Sequence, residues 1–313
     1  MLQALISLVY AIVPVLFYLW IVWTIDRYDR EPMGLVLANF GWGIITAVLI
    51  LGFGLLSNTE YDKTLTAPIV EETLKCLILF WTARQKAFDN ITDGMVYGMA
   101  IGLGFGMTEN FVWFWNASTV SSWVTRVLGR TLFTVIMHAL ATGLVGTFFG
   151  LTKFGKKWWR LPLRLLGLAA AIGIHMFWNT TVLSYDGTGI PIDTVFILLG
   201  LVSTGLILQM SLLAENRILR RELTEESEAG LIPVTHLQYL PYSTKRKFLG
   251  WLSPAIDKRE YIEATTQLAF RRYQAKMCQD DEREQYEQEV EALREKIRAM
   301  LASDRHSAAA QLY

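Results

Sequence analysis

Cysteine is scarce in this chain of 313 residues, and charge is absent from long stretches of it. The two cysteines, Cys76 and Cys278, are too few and lie in regions too different in polarity to form a disulfide framework. Basic and acidic residues balance at 29 each, so the charge gives no reason to expect nucleic-acid binding. The sequence also lacks an HExxH run, the strong local signal of a catalytic zinc.

The charge-free stretches are long and apolar. No charged residue occurs between Leu2 and Ile25, between residues 33 and 57, or between residues 194 and 214. With 52% hydrophobic residues overall, this pattern is typical of an integral membrane protein. The first stretch lacks a basic n-region and a small-x-small cleavage site, so we expect a retained membrane helix there and not a removed signal.

Seven blocks of the sequence have the length of a membrane helix, because a bilayer core about 30 Å thick needs roughly 20 apolar residues. The sequence therefore predicts an all-α fold, a polytopic bundle of about seven transmembrane helices. The blocks are approximately 2–25, 33–57, 65–83, 93–115, 131–152, 165–184 and 192–214.

The Lys and Arg residues between the blocks predict the orientation of the bundle, because short cytoplasmic loops are enriched in them. If the N-terminus is outside, the inner loops hold nine Lys and Arg and the outer loops hold two, with Arg130 at a helix edge. The prediction is therefore N-out and C-in.

The chain becomes soluble in character from Glu215 onward. We predict a transmembrane domain over residues 1–214 and a cytoplasmic helical tail over residues 215–313. Within the tail, residues 258–302 have the pattern of a charged helix. Its apolar residues recur at helical spacing and predict an intramolecular or oligomeric packing face. They are Val290, Leu293, Ile297 and Leu301.

Six ionisable side chains lie inside the predicted spans, where such groups are costly and usually functional. Counted from the outer end of each span at 1.5 Å per residue, the carboxylates and imidazoles lie roughly 9 to 14 Å deep. We therefore expect a single site built from four helices. The six residues are Glu71, Glu72, Lys75, Glu109, His138 and His175.

Helix geometry indicates where Glu109 points. Glycine recurs at every fourth position from residue 94 to residue 106, a spacing that allows membrane helices to approach closely. Glu109 projects about 20° from the direction of Gly102, so we expect it to face the helix interface and not lipid. At the other end of this span, Asp93 is predicted to be the N-cap.

The third and sixth predicted spans carry complementary groups. Lys75 lies four residues after Glu71 and three after Glu72, so it can neutralise one glutamate while the other faces a cavity. A carboxylate without a counter-ion in a low-dielectric setting becomes a usable base near neutral pH. His175 and Asn179 share one helix face and could donate hydrogen bonds to a developing oxyanion.

Four ordered motifs carry a resemblance to a known family. The segments "EETLK" (71–75), "FGMTEN" (105–110), "HALATG" (138–143) and "HMFWN" (175–179) are similar to motifs of the PrsW family of bacterial membrane proteases. The joint "DRYDREP" (26–32) also resembles the first loop of that family. The similarity runs from about residue 14 to residue 185 and is distantly shared with the CAAX prenyl proteases.

The resemblance implies an intramembrane protease of the bacterial cytoplasmic (inner) membrane that makes a site-1 cut in a membrane-anchored substrate, such as an anti-sigma factor. It implies Glu71 or Glu72 as the general base, and His138 or Glu109 as the partner that shares the water. It also implies His175 with Asn179 as the oxyanion donors. Lys75 and Asn110 take supporting roles.

Three alternatives remain open at the level of the sequence. We expect a metal-free mechanism, but Glu109, His138 and His175 also provide the ligand set of a catalytic zinc. Intramembrane Glu, His and Lys also occur in transporters and proton relays, although the inner halves of these spans offer mainly glycine and apolar residues. The third alternative is a family member without catalytic activity that binds or scaffolds membrane partners through its tail. The sequence predicts no oligomeric state.

Overall fold

The computed structural model describes residues 1–52, 59, 61–184, 190–278 and 281–310, and over these residues the fold is entirely helical. Two short π-helical turns, Asp62–Thr66 and Arg130–Thr134, precede α3 and α6. The α-helices are α1 (Leu2–Thr24), α2 (Met33–Gly52), α3 (Ala67–Thr82), α4 (Ile91–Trp115), α5 (Val120–Gly129), α6 (Val135–Leu151), α7 (Lys157–Ser184), α8 (Ile190–Glu228), α9 (Lys258–Met277) and α10 (Asp281–Ala310).

Five described helical stretches are long and apolar enough to cross a membrane: Leu2–Thr24, Met33–Gly52, Val120–Leu151, Lys157–Thr181 and Ile192–Glu228. The predicted third and fourth spans correspond to α3 and α4, which are not among the five. Helix α3 has 16 residues and carries three charges, and α4 holds two acidic residues and five glycines, so neither is a strongly apolar run.

Glycines allow α4 to pack closely against two neighbours. A Cβ atom at Gly98 or Gly102 would overlap a backbone carbonyl of α6, and a Cβ atom at Gly104 would overlap the carbonyl of Phe40 on α2. These contacts bring backbone against backbone, as small residues do at membrane helix interfaces. The predicted glycine stripe therefore faces α6, which is the helix that carries His138.

The beginning of α4 differs from the prediction. Asn90, and not Asp93, is the N-cap: its side chain accepts a hydrogen bond from the Asp93 backbone N–H at 3.1 Å. Asp93 is the third helical residue, and its carboxylate accepts a hydrogen bond from the Asn90 backbone N–H at 3.0 Å. This reciprocal capping box was hidden in the sequence because both residue types are good N-caps.

The chain divides into two compact units, the first comprising residues 1–26 and 30–209 and the second comprising residues 27–29 and 210–313. The division falls inside α8, which runs unbroken through residue 214. In the second unit, Leu219, Leu223 and Tyr261 are buried in a common core with Val290 and Ile297. The apolar stripe of α10 thus packs within the chain. The charged helix predicted over 258–302 is two helices, α9 and α10.

Candidate active site

Four helices of the first unit bring together the six ionisable residues that the sequence singled out. Helix α3 supplies two glutamates and a lysine, α4 supplies one glutamate, and α6 and α7 supply one histidine each. We call this group the Glu/His cluster; it consists of Glu71, Glu72, Lys75, Glu109, His138 and His175. The imidazoles of the two histidines lie nearly perpendicular, with ring centroids 4.9 Å apart.

Glu72 is completely buried and its carboxylate is saturated with partners. Its Oε1 accepts hydrogen bonds from Lys75 Nζ at 2.7 Å and from His175 Nδ1 at 3.0 Å. Its Oε2 accepts a third, from Thr142 Oγ1 at 3.0 Å. A buried carboxylate with this many partners is held in one orientation, so Glu72 positions the side chains around it.

Glu71, the neighbouring glutamate, has different surroundings. Its Oε2 lies 3.9 Å from Lys75 Nζ and 3.8 Å from His175 Nε2, beyond hydrogen-bond distance in both cases. Within the described part of the chain, this buried oxygen has no hydrogen-bond partner. Lys75 thus neutralises Glu72 more closely than Glu71, and Glu71 retains an acceptor atom beside His175.

Glu109 faces α6, as the glycine stripe predicts. Its Oε2 lies 2.9 Å from His138 Nε2 and 2.7 Å from a guanidinium nitrogen of Arg130. Its other oxygen accepts a hydrogen bond from Trp113 Nε1 at 3.1 Å. Arg130 Nε in turn donates to Asn110 Oδ1 at 3.0 Å, which gives Asn110 its supporting contact.

Lys75 connects the two halves of the cluster. Besides Glu72, its ammonium lies 3.1 Å from His138 Nδ1 and 3.7 Å from the centre of the Phe105 ring. An ammonium can only donate, so His138 Nδ1 accepts this bond and its Nε2 donates to Glu109. By the same reasoning His175 donates from Nδ1 to Glu72, which leaves the lone pair of its Nε2 toward Glu71.

Asn179 lies outside the polar contacts of the cluster. Its side-chain amide donates to the backbone carbonyl of Lys63 at 2.8 Å, which ties α7 to the π-helical turn before α3. Sequence reasoning missed Thr142 and Arg130 as partners of the glutamates. Thr142 follows His138 by four residues, so helical spacing could have revealed it; Arg130 was treated only as a charge at a helix edge.

The donor atoms of the cluster fit a metal ion. Ligand atoms of Glu71, His138 and His175 lie within 4.8 Å of one another. Among the described residues, no hydrogen bond uses the buried oxygen of Glu71 or the Nε2 lone pair of His175, so both atoms can bind a metal. The Nδ1 bond from His175 to Glu72 matches the support that metal-bound imidazoles usually have. His138 would have to give up its bond to Glu109 or to Lys75. This set contains Glu71 where the sequence predicts Glu109.

The charges of the site also suit a cation. The described groups in contact here comprise three carboxylates, from Glu71, Glu72 and Glu109, and two fixed cations, from Lys75 and Arg130. Of these three carboxylates, only that of Glu71 has a buried oxygen that no hydrogen bond from the described residues stabilises. Because an unpaired charge is costly in a low-dielectric interior, a cation bound beside this oxygen would stabilise the ionised form of Glu71.

Fold and site together define a helical membrane protein with a buried centre of glutamates and histidines. The chain belongs to the PrsW family, since a family model described as "PrsW family intramembrane metalloprotease" matches residues 31–207, more than half of its length. This match confirms the family that the four motifs predict. By that description its members are peptidases, and the word metalloprotease implies a metal without saying which one.

Curated relatives carry the same family name. "Protease PrsW" of Geobacillus kaustophilus is 29% identical over 140 residues, which cover 42% of this chain and 60% of that protein. "Protease PrsW" of Bacillus subtilis is 29% identical over 158 residues, covering 48% of this chain and 70% of that protein. The Clostridioides difficile relative of the same name is 27% identical over 177 residues, covering 53% and 74%. No solved structure matches the chain.

Proposed function

We propose that this chain hydrolyses peptide bonds of membrane-anchored proteins at the Glu/His cluster. The observation that carries the proposal is the difference between the two adjacent glutamates. Glu72 has three hydrogen-bond partners, whereas among the described residues Glu71 keeps a buried oxygen that has none and that lies beside Nε2 of His175. An acceptor prepared in this way suits the binding and deprotonation of water.

The remaining groups hold this centre in place. Glu72 fixes the His175 ring through Nδ1, and Glu109 fixes the His138 ring through Nε2. Lys75 and Arg130 keep those two carboxylates charged, so they accept hydrogen bonds and do not compete with Glu71 for protons. In a metal-free reaction Glu71 takes the proton of the attacking water and returns it to the leaving amine.

The family description and the donor set support a metal at the same centre. Glu71, His138 and His175 would hold it. When bound, such an ion polarises a carbonyl and makes water nucleophilic near neutral pH. Glu72 then supports the His175 ligand through Nδ1, the arrangement usual for metal-binding imidazoles.

We further propose that the helices cross the membrane seven times, N-out and C-in, in the cytoplasmic membrane of a bacterium. Helices α3 and α4 would complete the count although they are less apolar, because α4 is buried between α2 and α6 and needs little contact with lipid. In this arrangement the site lies in the outer half of the bilayer, which suits a site-1 cut in a membrane-anchored protein. The name of the Bacillus subtilis relative, "Protease PrsW", supports proteolytic activity, but it specifies no substrate.

Reconstitution with a single-span substrate tests the activity. The purified chain in proteoliposomes should cut the substrate, and Glu71→Gln should lower the rate at least about a hundredfold, since it removes the basic carboxylate with little change of shape. Glu228→Gln is the matched control, because Glu228 is exposed on α8 in the second unit. Equal rates for the wild type and Glu71→Gln would refute the proposed role of Glu71.

Elemental analysis of the same preparation determines whether the reaction uses a metal ion. We expect about one transition-metal ion per chain, with most of it lost in His175→Ala and retained in Glu228→Gln. Chelation should then abolish cleavage, and added zinc should restore it. A preparation without metal that still cleaves would instead support the metal-free reaction at Glu71.

A further inference from the structure

A loop of the second unit, "KRKFLGWLSP" (245–254), exposes two large apolar side chains, Phe248 and Leu249, which we call the tip of the loop. Phe248 is 59% exposed and Leu249 is 93% exposed, although large apolar side chains in adjacent positions normally seek burial. Leu249 also lines an open cavity of about 450 Å³, together with Trp251, Leu252 and Ile256. The loop thus presents a continuous apolar surface.

The base of this loop is fixed, so the exposure of the tip is built into the fold. The buried Arg246 donates to Thr266 Oγ1 at 2.9 Å, and Trp251 stacks on Tyr239 with ring centroids 5.1 Å apart. Lys258 Nζ donates to the Phe248 carbonyl at 2.5 Å. Gly250, at φ +81°, makes a turn that other residues adopt only with strain.

Positive charge flanks the tip. Lys245 and Lys247 are exposed on its N-terminal side, and the half-buried Lys258 holds its backbone. The segment 244–256 contains no acidic residue. Apolar side chains between lysines are the pattern of segments that bind anionic lipid surfaces.

Chain connectivity keeps the second unit near a bilayer. Residues 27–29 join the candidate spans α1 and α2, and residues from 210 onward continue α8, whose apolar part is a candidate span. Within the unit, the guanidinium of Arg246 lies 5.3 Å from the centre of the Tyr28 ring. Tyr28 is only four residues from the end of α1, so the loop starts beside a segment that connects two spans.

We propose that the 245–254 loop binds the surface of the membrane in which the chain is embedded. Phe248 and Leu249 enter the interface between headgroups and acyl chains, and Lys245 and Lys247 contact anionic headgroups. The partner is thus an anionic lipid surface. This binding would hold the second unit against the bilayer, independently of any reaction at the Glu/His cluster.

Depth-dependent fluorescence quenching tests the proposal on the full-length chain. Leu249→Cys in a Cys278→Ser background, carrying an environment-sensitive dye, is placed in nanodiscs with one chain each. The discs contain either zwitterionic lipid or a mixture with anionic phosphatidylglycerol. The reference position is Ala299→Cys, exposed on α10. Cys76 is buried, and the parent chain without a new cysteine measures any labelling of it.

In anionic discs we expect blue-shifted emission at position 249 and its quenching by acyl-chain spin labels, with neither effect at position 299. Lys245→Gln with Lys247→Gln should lower the ratio of membrane-bound to free loop about tenfold or more, because each lysine near an anionic surface contributes about fivefold. Lys296→Gln, a surface lysine of α10, should leave it unchanged.

Two results would overturn the proposal. One is a dye at position 249 that aqueous iodide quenches as strongly as at position 299 in both lipid mixtures. The other is protection of position 249 only in discs that hold two chains, which would assign the tip to a second copy of the chain.

Discussion

Glu71 and Glu72 are neighbours in sequence, yet their side chains project about 100° apart on α3 and have different chemistry. Glu72 points toward Lys75, Thr142 and His175, so its charge is compensated and its lone pairs are used. The Glu71 carboxylate instead lies on the Nε2 side of the His175 ring. The difference between the hydrogen-bonded carboxylate of Glu72 and the carboxylate of Glu71, which we propose to be the reactive one, therefore follows from helix geometry.

Stability measurements should separate the two glutamates. We expect Glu72→Gln to lower the free energy of unfolding by about 3 kcal/mol, because it leaves the buried ammonium of Lys75 without its closest carboxylate. Glu71→Gln should leave stability unchanged or raise it, since Glu71 Oε2 has no hydrogen bond to lose within the described chain. Unfolding in mixed micelles, followed by tryptophan fluorescence, measures both.

A double-mutant cycle provides the control for this prediction. Glu72→Gln combined with Lys75→Met should cost less than the sum of the single changes, because removal of both charges leaves neither one uncompensated. Strict additivity would contradict the ion pair as the cause.

Asn179 gives a second test at this scale. Its amide is bonded to the Lys63 carbonyl, so we expect Asn179→Ala to cost about 1 kcal/mol of stability. The maximal cleavage rate should fall less than about tenfold, whereas loss of an oxyanion donor usually costs a hundredfold or more. Comparison of the cleavage rate at saturating substrate with the unfolding curve distinguishes the two roles. A hundredfold loss with unchanged stability would restore Asn179 as an oxyanion donor.

Depth counting from the sequence predicted that the residues of the Glu/His cluster lie together, but not the bonds between them. Glu109 and His138 were expected at one level, and the structure brings them to 2.9 Å. The choice between Glu71 and Glu72 could not be predicted, since Lys75 is within helical reach of both. Thr142 and Arg130 hold the carboxylates of Glu72 and Glu109 in their orientations. Thr142 shares a helix face with His138 and could have been found from that spacing, whereas nothing in a single sequence indicates that Arg130 reaches Glu109.

At the scale of elements, the contact between α4 and α6 determines the distance across the site. Gly102 lies directly against the backbone carbonyl of His138. The two helices can approach closely enough for Glu109 to reach the His138 ring only because Gly102 has no side chain. The hydrogen bond between Glu109 and His138 therefore depends on the glycine stripe of α4.

Substitution of Gly102 by alanine should damage both stability and activity. Its Cβ would overlap the His138 carbonyl, so we expect a loss of about 1 to 3 kcal/mol and a lower cleavage rate. Gly41→Ala is the matched control, since a Cβ atom there has no neighbour within 4 Å and alanine favours helix. Thermal unfolding and cleavage are measured for both; equal effects would contradict close packing as the cause.

Hydropathy predicted the long helices and most of their ends, and the largest differences are the start of α7 and the end of α8. The fourth block, 93–115, corresponds to α4 at Ile91–Trp115, and the seventh, 192–214, corresponds to only part of α8 at Ile190–Glu228. Helix α8 extends because its charged continuation remains a good helix former, and an apolar window cannot register that extension. Helix α5 was missed because its ten residues include serines, threonine and arginine between the apolar ones.

At the scale of the whole molecule, five helical stretches of the described residues are long and apolar enough to cross a membrane, whereas we propose seven crossings. The difference concerns only α3 and α4. Their joint, residues 83–90, lies inside the cell if both helices cross and outside if neither does. All other joints keep their sides under either count.

Chemical labelling of single cysteines decides between these counts. With the N-terminus outside and seven spans, Lys86→Cys should react with an impermeant maleimide only after the cells are permeabilised. Ser118→Cys, exposed between α4 and α5, should react in intact cells under either count and serves as the control. Reaction of Lys86→Cys in intact cells would leave five spans.

The π-helical turn Arg130–Thr134 lies between α5 and α6, in an otherwise continuous helical run from Val120 to Leu151. Such a turn accommodates one residue more than a regular α-helical path. One residue corresponds to about 100° of rotation in a regular α-helix, and the wider π turn takes up that rotation, so α5 and α6 keep nearly the helical phase that they would have without the extra residue. The length of this connection is therefore buffered: a residue can be lost from the turn while His138 keeps its direction toward Glu109 and Lys75, whereas a residue lost inside α6 ahead of His138 has no such turn to take it up.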